Sequence, residues 1–160
     1  MWPRTWAGVL AVLALLAGGT ASAARQTDNL AFVDPAKTQT AVDQGSAALA
    51  AVLSYDYRKL DESIQLAKEK GTAAYVGQHT ELINTLRPVA TKQKQSATTK
   101  VVGTGVRELR ADTAKLVIFY DQTVTRGDTN KTAKVGLTAV VDLRLVGELW
   151  KLDNMNSFGS

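Results

Sequence analysis

The feature that most constrains the fold is a change of hydrophobic period at Gln95. Before this residue, apolar side chains recur every three to four positions, which is the spacing of amphipathic helices. After it, apolar and polar residues alternate, which is the spacing of half-buried strands. A group of helices followed by a group of antiparallel strands is the order of an α+β domain. The sequence therefore predicts about three helices packed on one curved, four-stranded antiparallel sheet.

The helices are predicted from their caps and breaks. Asp34 is a natural N-cap, and Pro35 suits the first helical position. Gly45 and Ser46 weaken the first helix but let another element approach it closely. Pro88 is predicted to kink or end the third helix. The three predicted helices span residues 35–55, 59–70 and 72–87.

The strands are predicted from β-branched residues and alternation. Gly103 and Gly105 mark a bulge or bend in the first strand. Residues 116–120 are apolar at every position, which predicts a strand segment that is buried on both faces. The four predicted strands span residues 98–109, 116–124, 135–145 and 149–155.

The N-terminal segment is typical of an export element. Arg4 precedes an apolar run, and Ala21-Ser22-Ala23 has the form of a signal-peptidase site. A cleaved signal peptide and a single membrane anchor over residues 1–24 are both open, and both deliver the remainder outside the cytoplasm. The expected organisation continues with a linker at 25–33, the α+β domain at 34–156 and a flexible tail at 157–160.

A cluster of polar and aromatic residues joins the first two predicted helices. Tyr55, Asp56, Tyr57 and Arg58 follow one another at this corner. We expect both rings to be buried, with Asp56 and Arg58 bonded to the tyrosine hydroxyls or to free groups at the helix ends. The cluster is therefore predicted to be a structural or interaction corner.

The predicted architecture resembles the cone shared by cystatin-like proteins and nuclear transport factor two, and several segments resemble one family more closely. Over residues 29–155 the chain resembles the Mce-associated (mammalian-cell-entry-associated) membrane proteins of actinobacteria. The segments that carry the resemblance are 29–38, Tyr55-Asp56-Tyr57-Arg58, Pro88-Val89-Ala90, 119–123 and Gly147-Glu148-Leu149-Trp150.

The resemblance implies a function and a location. It implies a non-catalytic accessory that stabilises an Mce-type complex for importing sterols or fatty acids. The implied partners are Mce subunits, their permease and their ATPase. The implied location is the cell envelope, at the outer face of the cytoplasmic membrane, with membrane contact through the N-terminal segment.

Composition narrows the remaining classes of function. Lys and Arg outnumber Asp and Glu by 19 to 15 but form no long basic run, so nucleic acid is not an expected partner. The chain has no cysteine and one histidine, His79, which we expect to be a surface residue or a satisfied one. No catalytic residue, metal site or cofactor is predicted, and the chain is expected not to be an enzyme.

Three alternatives stay open. A lipid or sterol carrier would use an apolar pocket in the cone, lined by Tyr75, Leu82, Leu86, Phe119, Val141 and Trp150. The same residues are expected in a solid core. A degenerate isomerase or dehydratase would pair Asp56 with Tyr55 or Tyr57, or Asp121 with Tyr120. A second copy of the chain is a further candidate partner, through a sheet face that bears Thr138, Asp142 and Arg144.

Overall fold

The structure is a computed structural model that describes residues 29–32 and 34–159. A 3₁₀ turn spans Leu30–Phe32. The helices are α1 (Pro35–Val52), α2 (Leu60–Lys70) and α3 (Ala73–Gln93). The strands are β1 (Tyr55–Asp56), β2 (Gln95–Leu109), β3 (Thr113–Arg126), β4 (Lys131–Val146) and β5 (Leu149–Gly159). The predicted α+β architecture, with three helices packed on an antiparallel sheet, is confirmed.

The sheet has five strands rather than the four predicted. Its order is β1-β2-β3-β4-β5, and every neighbouring pair is antiparallel. The additional strand, β1, has two residues, which pair as Tyr55 with Ala97 and Asp56 with Ser96. Two residues are too few to show an alternation, so the sequence pattern could not reveal this strand. A register shift between Val101 and Gly103 confirms the bulge predicted in β2.

The helices begin within one residue of their predicted starts, but α1 ends three residues earlier and α3 six residues later than predicted. The side chain of Asp34 accepts a hydrogen bond from the backbone N–H of Lys37 at 2.9 Å, which caps α1. In α3 the helix continues through Pro88 to Gln93. Ala90, beyond the proline, is buried in a cluster with residues of α2 and α3. This packing holds the last turn in helical form despite the hydrogen bond that proline cannot donate.

The main core lies between α1 and the sheet. A Cβ atom added at Gly45 would lie 2.7 Å from Leu143 Cδ1 and 2.8 Å from Leu116 Cδ1. The absence of a side chain therefore lets α1 sit directly on the sheet, as the small residues of this helix predicted. Gln44 holds the same helix to β5, because its Oε1 accepts a hydrogen bond from the backbone N–H of Trp150 at 2.7 Å.

Only one face of β3 is buried, which corrects the prediction of a strand buried on both. Leu116, Ile118 and Tyr120 are buried beneath the helices. Val117 is half-buried and Phe119 is exposed, because they point to the opposite face. An unbroken apolar run does not by itself distinguish a strand with two buried faces from one with an exposed apolar face.

The ends of the described domain differ from the predicted linker and tail. Asn29 Nδ2 donates to the carbonyl of Arg107, and Asn29 Oδ1 accepts from the N–H of Leu109. Residues at the end of the predicted linker are thus bound to β2. β5 continues to Gly159, so residues 157–159 extend the sheet rather than forming a tail. The predicted export segment, 1–24, and positions 25–28 and 33 of the linker lie outside the described residues. None of the described helices is long and apolar enough to cross a membrane.

Candidate functional site

An open groove of about 360 Å³ lies between α3 and the sheet. It is also lined by Val52 and Leu53 at the C-terminal end of α1 and by Tyr55 of the short strand β1. The helix wall consists of His79, Leu82, Ile83 and Leu86, and the sheet wall includes Tyr120, Val124, Leu137, Met155 and Ser157. A smaller pocket of about 210 Å³ adjoins the groove and is lined by Tyr75, Gln78, His79, Leu82 and Met155.

His79 lies where the groove and the smaller pocket meet, and it is buried rather than on the surface. Its side chain is 3% exposed and stacks on Tyr75, with 5.8 Å between the ring centroids. Tyr75, His79 and Ile83 follow one another at four-residue intervals, which places them on one face of α3. The interval of four residues that separates His79 from Tyr75 and from Ile83 was the sequence signal for this burial, which the sequence prediction missed.

Only one nitrogen of the His79 ring is satisfied. Nε2 lies 2.8 Å from Ser63 Oγ, and Ser63 Oγ lies 3.2 Å from the carbonyl oxygen of Val52. If Ser63 donates to the Val52 carbonyl, which can only accept, then Nε2–H donates to Ser63. Nδ1 is then a bare acceptor, and it has no hydrogen-bond partner among the described residues. Burial lowers the pKa of His79, which favours the neutral ring.

Tyr75 carries the second unsatisfied group. Its side chain is 1% exposed, and within the described part of the chain its hydroxyl has no hydrogen-bond partner. Burial, with the nearby Tyr120, raises the pKa of Tyr75, so its hydroxyl remains protonated. A buried polar group without a partner costs about 1–3 kcal/mol of stability. Two such groups on one helix face are the least expected feature of this fold.

Three other polar side chains of the groove have partners. Tyr120 Oη and Ser157 Oγ are 2.5 Å apart. Gln122 Nε2 donates to the carbonyl oxygen of Leu53 at 3.2 Å and to Thr99 Oγ1 at 3.3 Å. Burial raises the pKa of Tyr55, which forms part of the groove wall. His79 Nδ1 and Tyr75 Oη are therefore the buried side-chain atoms of this region that lack a partner among the described residues.

The six residues predicted to line a pocket lie in different places. Leu82 and Leu86 line the groove, and Tyr75 lines the smaller pocket together with Leu82. Val141 is buried in the main core. Trp150 is also buried there, and it borders a separate cavity near Glu69 and Lys151. Phe119 is on the opposite face of the sheet and does not line the groove, because residues of β3 alternate between faces.

The Tyr55–Arg58 corner takes a different form from the predicted one. Both tyrosine rings are half-buried against the cluster of Leu60, Ile83 and Ala90 rather than enclosed. Asp56 and Arg58 bond each other at the surface, at 2.6 Å, instead of bonding the tyrosine hydroxyls.

The ion pair fixes the turn between β1 and α2. Asp56 Oδ1 also accepts from the backbone N–H of Arg58, so one carboxylate holds both the side chain and the backbone of the turn. Its bonds to the Arg58 side chain and backbone lower the pKa of Asp56 to about 2.

The candidate acid–base pairs of an isomerase are not assembled. Asp56 is bound to Arg58 at the surface corner. Asp121 pairs with Lys134 at 2.7 Å and belongs to the face opposite Tyr120. Ser63 is bonded to His79 Nε2 and is not among the residues that line the groove. Within residues 29–32 and 34–159, no group of three or more His, Asp or Glu side chains is placed to hold a metal ion.

Sequence comparison finds relatives in Mycobacterium tuberculosis. No protein-family model matches the chain. Two uncharacterized proteins of Mycobacterium tuberculosis, one from strain CDC 1551 / Oshkosh and one from strain H37Rv, are each 29% identical to it over 118 residues. The match covers 73% of this chain and 54% of each relative, so the chain spans about half the length of the curated relatives it matches.

Solved structures share the fold at low identity. An IcmL-like type IV secretion system protein from Legionella pneumophila matches with a TM-score of 0.65 and 14% identity, over 77% of this chain and 92% of that one. CagV, a VirB8 homologue of the Helicobacter pylori type IV secretion system, matches at 0.61 and 13%, over 75% and 98%. A periplasmic fragment of TraM matches at 0.59 and 17%, over 77% and 98%. The chain therefore has the α+β fold found in these domains.

Proposed function

We propose that this chain is a non-catalytic assembly domain of a transport complex in the cell envelope, held there by protein–protein contacts. One observation carries the proposal, an exposed apolar band on the face of the sheet opposite the helices. Phe119, Thr138 and Phe158 lie side by side in register across β3, β4 and β5. Phe119 is 51% exposed and Phe158 is 56% exposed.

The surroundings of this outer band are those of a contact surface. Val117 and its partner Val140 extend it by one row. Ion pairs lie at its two ends, Lys115 with Asp142 at 3.3 Å and Lys134 with Asp121 at 2.7 Å. An exposed apolar patch with a polar rim is typical of a surface that another protein covers. Aromatic residues at the centre of such patches often contribute most of the binding energy.

Two further findings support an envelope complex. Proteins with the same fold include components of type IV secretion systems and a periplasmic fragment. The resemblance of residues 29–155 to Mce-associated proteins favours one kind of complex, an Mce-type importer of sterols or fatty acids. In this proposal the domain lies at the outer face of the cytoplasmic membrane, and the N-terminal segment places it there. Its partners are the Mce subunits, the permease and the ATPase.

The proposal is tested by purification from native membranes in mild detergent, with the co-purifying proteins identified by mass spectrometry. Full-length wild-type chain is compared with Phe119→Glu in the outer band. Leu82→Glu is the matched control, because Leu82 is 49% exposed and lies on the groove side. We expect the wild type and Leu82→Glu to bring down the Mce proteins. Phe119→Glu should lower their recovery about thirtyfold, the effect of losing about 2 kcal/mol at a hot spot.

Two results would count against parts of this proposal. Equal recovery with Phe119→Glu would show that the outer band is not the contact surface. Recovery of a secretion apparatus instead of Mce proteins would keep the assembly role and refute the Mce assignment. A wild-type chain that purifies only with a second copy of itself would make the band a homodimer surface, near the Thr138, Asp142 and Arg144 positions.

A second candidate function is that of a lipid carrier, and the groove favours it. A groove of about 360 Å³ is within the range of sites that hold small ligands, about 300–1,000 Å³. Lipid extraction from the natively purified chain, followed by mass spectrometry, tests this function. A lipid retained by the wild type and lost from Leu82→Glu would support it. An isomerase or dehydratase is the third candidate, and the separation of its acid–base pairs does not favour it.

A further inference from the structure

One segment of β4 lies at the edge of the sheet without a strand beside it. β4 begins at Lys131, but its pairing with β5 begins only at Leu137, which lies opposite Gly159. Within the described chain, residues 131–135 therefore pair with β3 alone, and all five are exposed. Alternate residues of an antiparallel strand direct their N–H and C=O groups away from the neighbour with which they pair. This segment, the open edge, thus presents a row of main-chain donors and acceptors to solvent.

Other parts of the sheet edge are covered by groups of the same chain. β1 pairs with the start of β2, and the side chain of Asn29 bonds the main chain near the end of β2. On β5, the side chain of Gln44 and the backbone N–H of Thr72 bond the main chain of the strand. β3 and β4 also pair in one continuous register, without the bulges that interrupt the pairing of β2 with β3 and of β4 with β5. A regular, uncovered edge is a template for a further strand.

The side chains of the open edge divide between the two faces of the sheet. Ala133 lies opposite Val124, which lines the groove, so Ala133 and Val135 belong to the face that carries the helices. Val135 is 45% exposed. Thr132 and Lys134 belong to the outer face. Apolar side chains of an added strand would therefore cover Ala133 and Val135 at the hairpin end of the groove.

The charges of the open edge indicate which kind of strand fits it. Lys134 is bonded to Asp121 at 2.7 Å, and Lys131 has no ion-pair partner among the described residues. A second copy of the chain, added edge to edge, would bring four lysines together, which opposes self-pairing. An acidic strand would instead place a carboxylate opposite each lysine. A lipid has no repeating main-chain groups and cannot satisfy the row of donors and acceptors.

We propose that the open edge binds an extended, acidic segment of a partner protein, which adds to the sheet as an antiparallel strand in line with β5. Main-chain hydrogen bonds hold the segment, as in other cases of strand addition. Its apolar side chains lie beside Ala133 and Val135, and its carboxylates lie opposite Lys131 and Lys134. The inference rests on the assembly role proposed above, for which it specifies the kind of partner segment, but it does not depend on the outer band.

The test uses the full-length chain, labelled with ¹⁵N, in nanodiscs of zwitterionic lipid. The probe is a capped peptide, Thr-Val-Glu-Val-Thr-Glu-Thr. In antiparallel register its two valines pair with Val135 and Ala133, and its two glutamates pair with Lys134 and Lys131. We expect the peptide to shift the amide resonances of residues 131–135 and to slow hydrogen exchange of alternate amides there. The same peptide with lysine in place of both glutamates should bind at least about tenfold more weakly.

Main-chain pairing is tested with two N-methylated forms of the peptide. One form is methylated at the odd-numbered amides and the other at the even-numbered amides. Only one of these two sets can point towards β4 in a paired strand. One form should therefore bind as the unmodified peptide does, and the other should bind at least about tenfold more weakly. Equal affinities of the two forms would show contact without strand pairing and would overturn the inference.

A pair of lysine variants tests the charge of the open edge. Lys131→Glu reverses a charge on it, and Lys68→Glu makes the same change of net charge at an exposed position of α2. Lys131→Glu should weaken binding of the acidic peptide about fivefold, because an attraction between exposed charges becomes a repulsion. Lys68→Glu should leave the affinity unchanged. Phe119→Glu, in the outer band, should also bind the peptide as the wild type does.

The outcomes separate this inference from the assembly role. No shift at residues 131–135 with up to about 1 mM peptide would refute the strand site, and co-purification through the outer band would still stand on its own result. Peptide binding by a chain that brings down no partner from native membranes would keep the strand site and refute the assembly role. Equal binding of the lysine-containing peptide would refute an acidic partner. Slowed exchange at residues 131–135 that grows with chain concentration, without peptide, would make a second copy the occupant and overturn the proposal.

Discussion

The helices α1 and α3 cover the same face of the sheet in opposite ways. α1 lies directly on it, since Gly45 leaves room for Leu116 and Leu143. α3 presents the rings of Tyr75 and His79, and a groove of about 360 Å³ is left between this helix and the sheet. The difference between a solid core and a candidate ligand site thus depends on which side chains stand between helix and sheet.

The two regions also differ in how their polar groups are satisfied. Beneath α1, Gln44 accepts a hydrogen bond from Trp150, and Ser46 Oγ lies 2.8 Å from Thr104 Oγ1. Beside α3, His79 Nδ1 and Tyr75 Oη are buried without partners among the described residues. Cores are normally fully satisfied, and exceptions concentrate at sites of function. The α1 side therefore provides stability, and the α3 side is the region to test for binding.

The largest expected effect compares one leucine from each region. Leu49 on α1 is fully buried, and Leu49→Ala should lower the free energy of unfolding by about 2–5 kcal/mol through lost burial and a new cavity. Leu82→Ala, on the exposed rim of the groove, should change it by no more than about 0.5 kcal/mol. Denaturant unfolding measures both changes in the free energy of unfolding, and the comparison requires that the m-value is the same for both variants and the wild type. Equal losses would mean that the groove is closed in solution and that the two regions do not differ.

A pair of glycines provides a second and smaller contrast. Gly45→Ala places a methyl group against two buried leucines, so overpacking should outweigh the gain in helix propensity and cost about 1–2 kcal/mol net. Gly77 is exposed on α3, and an added Cβ would meet no atom within 4 Å. Gly77→Ala should therefore stabilise the protein by about 0.5–1 kcal/mol. Thermal or denaturant unfolding of both variants checks the opposite signs, and a stabilising Gly45→Ala would contradict the close packing of α1.

The contrast between these helices could be predicted from the sequence only in part. The change of period at Gln95 predicted the α+β order, and the small residues of α1 predicted its close approach. The groove could not be predicted, because an amphipathic pattern shows which face of a helix is buried but not how far the helix stands from its neighbour. The walls of the groove combine α3 with residues of β3, β4 and β5, which come from distant parts of the sequence.

The exposed band illustrates a similar limit. The alternation in β3 was hidden because Phe119 is as apolar as its buried neighbours Ile118 and Tyr120. Only the register with Thr138 and Phe158 shows that the exposed residues form one surface. β1 was missed for another reason, its length of two residues. Asp56 and Arg58 were predicted to belong to a corner, but their bond to each other was not predicted. Both groups could also bond the tyrosine hydroxyls or free groups at the helix ends, and the sequence does not show which of these bonds forms.

The smallest expected effect tests whether His79 is as well shielded as this structure implies. Burial lowers the pKa of the ring in the folded protein below its ordinary value of about 6.5. The unfolded chain therefore binds a proton at higher pH than the fold does. The stability linked to neutral His79 is complete above about pH 6.5 and is lost as the pH falls towards the folded pKa, with a slope of at most about 1.4 kcal/mol per pH unit.

The histidine effect is isolated by comparison with a variant that cannot titrate. The stability of wild type minus that of His79→Gln should decrease between pH 7 and pH 5, while carboxylate contributions largely cancel between the two proteins. NMR titration of the one histidine measures the folded pKa directly. A value of 6.5 or above would mean that water or a countercharge reaches the ring. The region beside α3 would then be a hydrated cleft rather than a dry site, and the unsatisfied Nδ1 would no longer distinguish it from the solvated surface.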